Sequence, residues 1–220
     1  MNEHILLLLS NQEEITIEER AIVYSIRLDN GEIFLLDSTY NYAILAFVGT
    51  GKEDVQRLVP TLISAFNPRG VINLGIAGSR RYKPGSIVFS DYADYAGKYE
   101  TDIIGLQTYE TNFIKAFVRY CNDIGSTNCI EGHIQTSNCF IELDNRFTLN
   151  SIDCIEMEAA AIYKICKENL VPCMFIKYIS DEALVNARLQ VEDNLLAAKG
   201  TLGDILKFVM QYAKSEKLWK

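Results

Sequence analysis

The stretch KEDVQRLVPTLISAFNPRGVINLGIAG, residues 52–78, decides the fold. Its first half puts Val55, Leu58, Leu62, Ile63 and Phe66 on one side of a 3.6-residue repeat, which predicts a helix over Lys52–Phe66 stopped by Pro68 and Gly70. Its second half, Val71–Gly75, is a short apolar run into glycines, which predicts a buried strand ending in a glycine turn. A helix that feeds directly into a buried strand is the building unit of a sheet covered by helices.

The same alternation extends in both directions. Toward the amino end, apolar runs predict strands at Ile5–Leu9, Ala21–Leu28, Glu32–Asp37 and Tyr42–Val48. Asp29-Asn30-Gly31 predicts a tight hairpin between the second and third, because Asn and Gly accept positive φ. Toward the carboxyl end, strands are expected at Ser86–Ser90, Glu131–Gln135 and Pro172–Ile179. Helices are expected at Tyr109–Tyr120, Glu156–Lys167 and Glu192–Lys214, the middle one favoured by Ala159-Ala160-Ala161. The predicted class is α/β, with a central mixed, partly parallel β-sheet flanked by helices on both faces. No Pro/Gly/Ser-rich linker divides the chain, so residues 1–220 are expected to form a single domain.

Composition narrows the function. The chain carries 21 Lys+Arg against 29 Asp+Glu, a formal charge of -8. Such a surface repels phosphate backbones and anionic lipid, so neither nucleic acid nor a membrane is expected as a partner. Ile5–Leu9 is too short and lacks the basic flank of a secretory signal, and no run approaches the ~18–20 apolar residues of a membrane span. Six cysteines (Cys121, Cys129, Cys139, Cys154, Cys166 and Cys173) form no C-x-x-C pair, and only His4 and His133 stand beside them. Neither a disulfide framework nor a metal site is expected, no cofactor is implied, and a reducing cytoplasm is the expected location.

In open α/β sheets a ligand lies beyond the carboxyl ends of the strands. Polar or glycine-rich turns follow four expected strands: Ser10-Asn11-Gln12-Glu13-Glu14, Gly49-Thr50-Gly51-Lys52, Asn73-Leu74-Gly75-Ile76-Ala77-Gly78 and Tyr178-Ile179-Ser180-Asp181. Beside them stands Ile155-Glu156-Met157-Glu158, two carboxylates flanking a methionine where a helix begins. Taken singly, each has an ordinary explanation. Gly49–Lys52 lacks the leading glycine of a phosphate loop, Asp181 suits a helix cap, and Glu156 and Glu158 suit a first helical turn. Several carboxylates converging on buried strand ends point instead to a polar pocket.

In this order and spacing, the motifs resemble the nucleoside phosphorylase and nucleosidase superfamily, and within it most of all the bacterial methylthioadenosine/S-adenosylhomocysteine nucleosidases. The resemblance rests on Asn73–Gly78 followed by Pro84-Gly85-Ser86-Ile87-Val88, on Ile155-Glu156-Met157-Glu158-Ala159, and on Ile179-Ser180-Asp181. It implies cleavage of the bond between a purine and its ribose, without a cofactor. Asp181 is then the acid at N7 of the base and Glu14 the base that activates water. Met157 and Glu158 grip the ribose, with Glu156 in reach. Phe140, in Ser137-Asn138-Cys139-Phe140-Ile141, stacks on the purine, and Ile141 offers backbone contacts. Gly78, Lys177 and Ser180 complete the expected substrate-binding set. The resemblance also implies a homodimer or hexamer.

Two positions depart from the pattern. Ile76 replaces a small hydroxyl residue expected to help hold the nucleophile, and Lys177 stands where arginine is usual. Asn11 and Thr50 make the presumed 5′ side more polar than an alkylthio group prefers, which points toward adenosine, a futalosine-like nucleoside or another purine nucleoside. A phosphorylase would need cations around phosphate, and Arg69, Arg80 and Arg81 do not occupy the expected positions. The alternatives to a hydrolase are therefore a phosphate-dependent purine nucleoside phosphorylase and a catalytically weak nucleoside-binding homologue.

Overall fold

The computed structural model describes residues 4–28, 31–96, 114–115, 118–119, 121–122, 128–142 and 153–216. In chain order the strands and helices are β1 (Ile5–Leu9), β2 (Ile22–Leu28), β3 (Gly31–Leu36), β4 (Ile44–Phe47), α1 (Lys52–Phe66), β5 (Gly70–Gly78), β6 (Ile87–Ser90), β7 (Ala93–Tyr95), β8 (Cys129–Glu131), β9 (Ile134–Thr136), β10 (Cys154–Glu156), α2 (Ala159–Glu168), β11 (Cys173–Asp181) and α3 (Ala187–Glu216). A 3-10 turn, Gln12–Glu14, follows β1.

The strands join one mixed sheet. Its parallel centre runs β4-β1-β5-β11, with Leu7 opposite Leu45 and Ile72, and Ile72 in turn opposite Met174. The hairpin β2-β3 extends this centre antiparallel beyond β4. At the other edge β6 lies antiparallel to β11 and carries β8. The far end of β5 also pairs, Gly78 to Ile155, with β10, which leads on to β9 and β7.

Strand alternation sends neighbouring side chains to opposite faces. Leu7, Leu9, Ile72, Leu74 and Ile176 pack on one face with Ala198, Leu202, Leu206, Val209 and Met210 of α3. Leu6, Leu8, Val71 and Phe175 pack on the other with Val55, Val59 and Leu62 of α1 and Ala160, Ile162 and Ile165 of α2. Each fully buried aliphatic contributes roughly 1.5–3 kcal/mol, so these two layers hold the central strands in register. No helix among the described residues is long and apolar enough to cross a membrane.

The expected class and most elements agree with this arrangement, and the helix Lys52–Phe66 has the expected bounds. Four local expectations change. The glycine run Gly75–Gly78 does not turn but stays extended as the end of β5, because β11 pairs with it, with a register shift at Ser180 that sets Asp181 opposite Gly78. The strand expected over Glu131–Gln135 is two, β8 and β9, separated at Gly132, where a Cβ would lie 2.9 Å from Val88 Cγ1. Glu156 ends a strand, and the helix expected to include it begins at Ala159. The last helix starts five residues earlier than expected, at Ala187. Asp29 and Asn30 of the expected hairpin turn lie outside the described residues, although the strands they join pair as expected. The helix expected over Tyr109–Tyr120 also lies outside them, apart from the helical positions 114–115 and 118–119.

Candidate active site

The carboxyl ends of β1, β5, β10 and β11 converge, and each brings an ionisable or backbone group to one place. The turn after β1 folds Glu14 back so that the Ser10 N–H donates to its Oε2 at 3.1 Å. Asn11 caps that turn, its side chain accepting from the Glu13 N–H at 2.8 Å. Glu14 is buried, and desolvation raises its pKa from 4.5 to about 7 against the opposing pull of Lys177.

Lys177 interrupts the apolar run of β11 in mid-strand and is only 1% exposed. Its Nζ lies 2.9 Å from Glu156 Oε2. Burial alone would depress its pKa, but Glu156, Glu158 and Glu14 outweigh that and raise it, so the ammonium is charged. Glu14 Oε2 and Lys177 Nζ each come to 3.4 Å of the point where a Cβ on Gly75 would stand. The missing side chain of Gly75 thus leaves the space that one carboxylate and one ammonium approach together.

Glu156 closes β10 and caps α2. Its Oε1 accepts from Thr136 Oγ1 at 2.6 Å, Glu158 N–H donates to its Oε2 at 3.0 Å, and Ala159 N–H reaches both oxygens at 3.0 and 2.9 Å. The positive end of a helix favours a carboxylate here. Glu158, two residues on, turns away to a different partner: Gly51 N–H donates to its Oε1 at 2.7 Å. Gly51 sits at φ 91, in the left-handed region that favours glycine. Burial and then Glu156 raise the Glu158 pKa from 4.5 to about 7.

Asp181 ends β11, buried at 2% exposure. Ala183 N–H donates to its Oδ1 and Ser180 Oγ to its Oδ2, both at 2.8 Å. Desolvation raises its pKa despite these bonds. Gly78 makes this approach feasible, since a Cβ there would stand 2.6 Å from Asp181 Oδ1. Gly78, Phe140, Ile141, Glu156, Met157 and Asp181 line one pocket. Phe140 is 38% exposed, with the Arg188 guanidinium 5.4 Å from its ring centre, so it is not a core residue.

The structure therefore gathers all ten sequence-derived positions. Glu14, Lys177, Glu156 and Glu158 form a buried charged cluster. Gly78, Phe140, Ile141, Met157 and Asp181 form the adjoining pocket, and Ser180 braces Asp181 from behind. Glu156 does not fit as a free acceptor, because its oxygens are already occupied. Ile76 packs on the core face that α3 covers, away from Gly75 and its two charged neighbours. Thr136 and the Gly51 N–H are essential to the geometry yet were not singled out as site groups in the sequence. Gly51 lay in a flagged turn, whereas Thr136 ends a short strand and gives no signal beyond its β-propensity. Of the arginines weighed for phosphate, Arg69 precedes β5 at the opposite end of the strand, and Arg81 is held by Asp153 at 2.7 Å. Among the described residues, no group of three His, Cys, Asp or Glu is arranged to hold a metal ion.

The profile of the Phosphorylase superfamily matches residues 3–210. A 5′-methylthioadenosine/S-adenosylhomocysteine nucleosidase of Buchnera aphidicola is 24% identical over 217 residues, covering 89% of this chain and 88% of its own. The crystal structure of such a nucleosidase from Neisseria meningitidis, in complex with methylthio-immucillin-A, superposes with a TM-score of 0.80 at 20% identity, covering 97% of this chain and 99% of that one. Futalosine hydrolase of Helicobacter pylori superposes with a TM-score of 0.77 at 20% identity, covering 94% and 96%.

Proposed function

The chain belongs to the phosphorylase superfamily, and on that premise we propose that it is an N-ribosyl hydrolase releasing the base of a purine nucleoside, of the methylthioadenosine/S-adenosylhomocysteine type or a close relative. One observation carries this reading. Glu14 and Asp181, from opposite ends of the chain, are both buried beside Gly75–Gly78 with their pKa values raised.

Hydrolysis passes through a cation-like ribose and a departing purine. Glu14 takes a proton from water as the oxygen attacks C1′. The bond from C1′ to N9 breaks with its electron pair going to the purine, and Asp181 supplies a proton to N7. Glu14 must be ionised to act and Asp181 must be protonated; desolvation gives Glu14 a pKa of about 7, suited to a base near neutral pH, and pushes Asp181 toward its protonated form. Glu158 has Oε1 on Gly51 and offers Oε2 to the ribose hydroxyls, where each charge-assisted hydrogen bond is worth about 1.5–3 kcal/mol. Met157 supplies a soft face under the sugar. Phe140 stacks on the base and Ile141 reads its edge through the backbone. Lys177 supports water as the nucleophile, because its ammonium is engaged by carboxylates rather than left free for phosphate.

The exposed Asn11 and Thr50 favour a more polar 5′ substituent than methylthio, and the named futalosine hydrolase likeness is in keeping with that. We place the enzyme in the cytoplasm as a single-domain homodimer. The test is base release from a nucleoside panel, including methylthioadenosine, adenosine and a futalosine-type nucleoside, in phosphate-free buffer. Release that requires phosphate would make it a phosphorylase. Binding without release, unchanged in Asp181→Asn, would make it a binding protein. Methylthioadenosine as clearly the best substrate would remove the 5′ argument.

A further inference from the structure

Glu156 lies against the substrate pocket but has no capacity left for a substrate. A carboxylate offers about four acceptor positions. Here four donors fill them: Thr136 Oγ1, Lys177 Nζ, Glu158 N–H and Ala159 N–H. Thr136 is itself pinned, its Oγ1 accepting from Ala160 N–H at 2.8 Å. Glu156, Thr136 and Lys177 are all 7% exposed or less. Two outputs leave this knot. One is the Lys177 ammonium, held beside Gly75 across from Glu14. The other is the backbone of Glu158, whose side chain then reaches Gly51.

We propose that Glu156, braced by Thr136, is a positioning residue that binds no substrate and sets the nucleophile side and the ribose side of the site together. It holds Lys177 away from full pairing with Glu14, so that Glu14 remains basic enough to deprotonate water. It also fixes the turn that presents Met157 and Glu158 to the sugar. This rests on the hydrolase reading above and names a residue that the reading itself does not require.

The experiment compares Glu156→Gln, Thr136→Val and Thr136→Ser with the unmodified protein, with far-ultraviolet circular dichroism as a check on folding. Gln keeps the shape and the acceptor at one end but carries no charge to hold Lys177. Lys177 then turns to Glu14. The expected result for Glu156→Gln is a kcat lowered 10–100-fold with KM within about twofold, and an acid limb of the kcat/KM profile displaced to lower pH by at least half a unit. Thr136→Val moves both in the same direction by less, and Thr136→Ser restores them. A raised KM with an unmoved acid limb would make Glu156 a ribose ligand and overturn the proposal, as would a Glu156→Gln enzyme with unchanged kcat. The Glu14 carboxyl is also titrated by ¹³C NMR in both proteins. If the unmodified protein releases no base, the hydrolase reading fails, while a Glu14 midpoint lowered in Glu156→Gln still supports the clamp and an equal midpoint overturns it.

Discussion

The Lys177 ammonium lies 2.9 Å from Glu156 Oε2, with the two side chains 1% and 2% exposed. Removing one partner of such a pair leaves an uncompensated buried charge, at a cost of roughly 3–5 kcal/mol. Lys177→Met is therefore expected to destabilise the fold severely. Lys177→Arg is expected to fold and to keep at least a tenth of the wild-type kcat/KM, read from thermal melting and base release side by side. An inactive but fully stable Lys177→Arg would show that the compact ammonium, and not just its charge, is required.

As the proposed base, Glu14 acts only when ionised, and burial raises its pKa to about 7. The rate is expected to rise with pH as Glu14 ionises and to fall again as Asp181, which must be protonated, loses its proton. Glu14→Gln should lose at least 100-fold in kcat across the whole profile. A wild-type acid limb centred below about pH 5 would contradict the assignment of the base.

Asp181→Asn keeps an acceptor for the Ala183 N–H but has no proton of comparable acidity to give. A fall in kcat of roughly 10²–10⁴-fold is expected, with the melting temperature little changed. An Asn variant within threefold of wild type would remove Asp181 from the acid role.

Gly78→Ala tests the same group by steric means. The added methyl would meet Asp181 Oδ1 at 2.6 Å and Ala183 Cβ at 3.1 Å, so the carboxyl must move. Displacement of a catalytic group by about 1 Å costs on the order of 10²-fold, and a loss of that size in kcat/KM is expected. Full activity in Gly78→Ala would mean that Asp181 works from a different rotamer.

The raised carboxylates also set how stability depends on pH. Glu14 and Glu158 have folded-state pKa values of about 7 against 4.5 when unfolded. Between those values the native chain holds protons that the unfolded chain has released. The associated stability is thus fully present below about pH 4.5 and is lost as pH rises through about 7. At about 1.4 kcal/mol per pH unit, Glu14 alone accounts for about 3 kcal/mol. Melting temperature is expected to fall from pH 5 to pH 8 by several degrees, and by clearly less in Glu14→Gln. Parallel curves for the two proteins would rule out Glu14 as a source.

Particular residues show what the sequence could reveal. The helix Lys52–Phe66 was legible because its apolar side chains repeat at helical spacing and Pro68 and Gly70 follow its end. The core strand β1 was legible because five consecutive aliphatics leave no other place for it. The extension of β5 through Gly75–Gly78 was not, since glycines carry no periodic signal and only pairing with β11 keeps them extended. Strand β10, three residues long, was hidden in front of α2, and that changed the role of Glu156. Glu14, Glu158 and Asp181 were identified from motif order. The electrostatic coupling of Glu14 and Glu158 through Lys177 depends on how β1, β10 and β11 meet at Gly75, and no linear spacing encodes that.

Strand β5 lies between β1 and β11, so the groups that the proposed chemistry needs flank it from segments far apart in the sequence. All of the chain between residues 14 and 181 must be made before the two can meet. Pairing segments this distant in sequence adds loop-closure entropy and slows folding. Under the proposed mechanism a fragment lacking β11 keeps Glu14 but loses both Lys177 and Asp181, and with them any means of splitting a nucleoside.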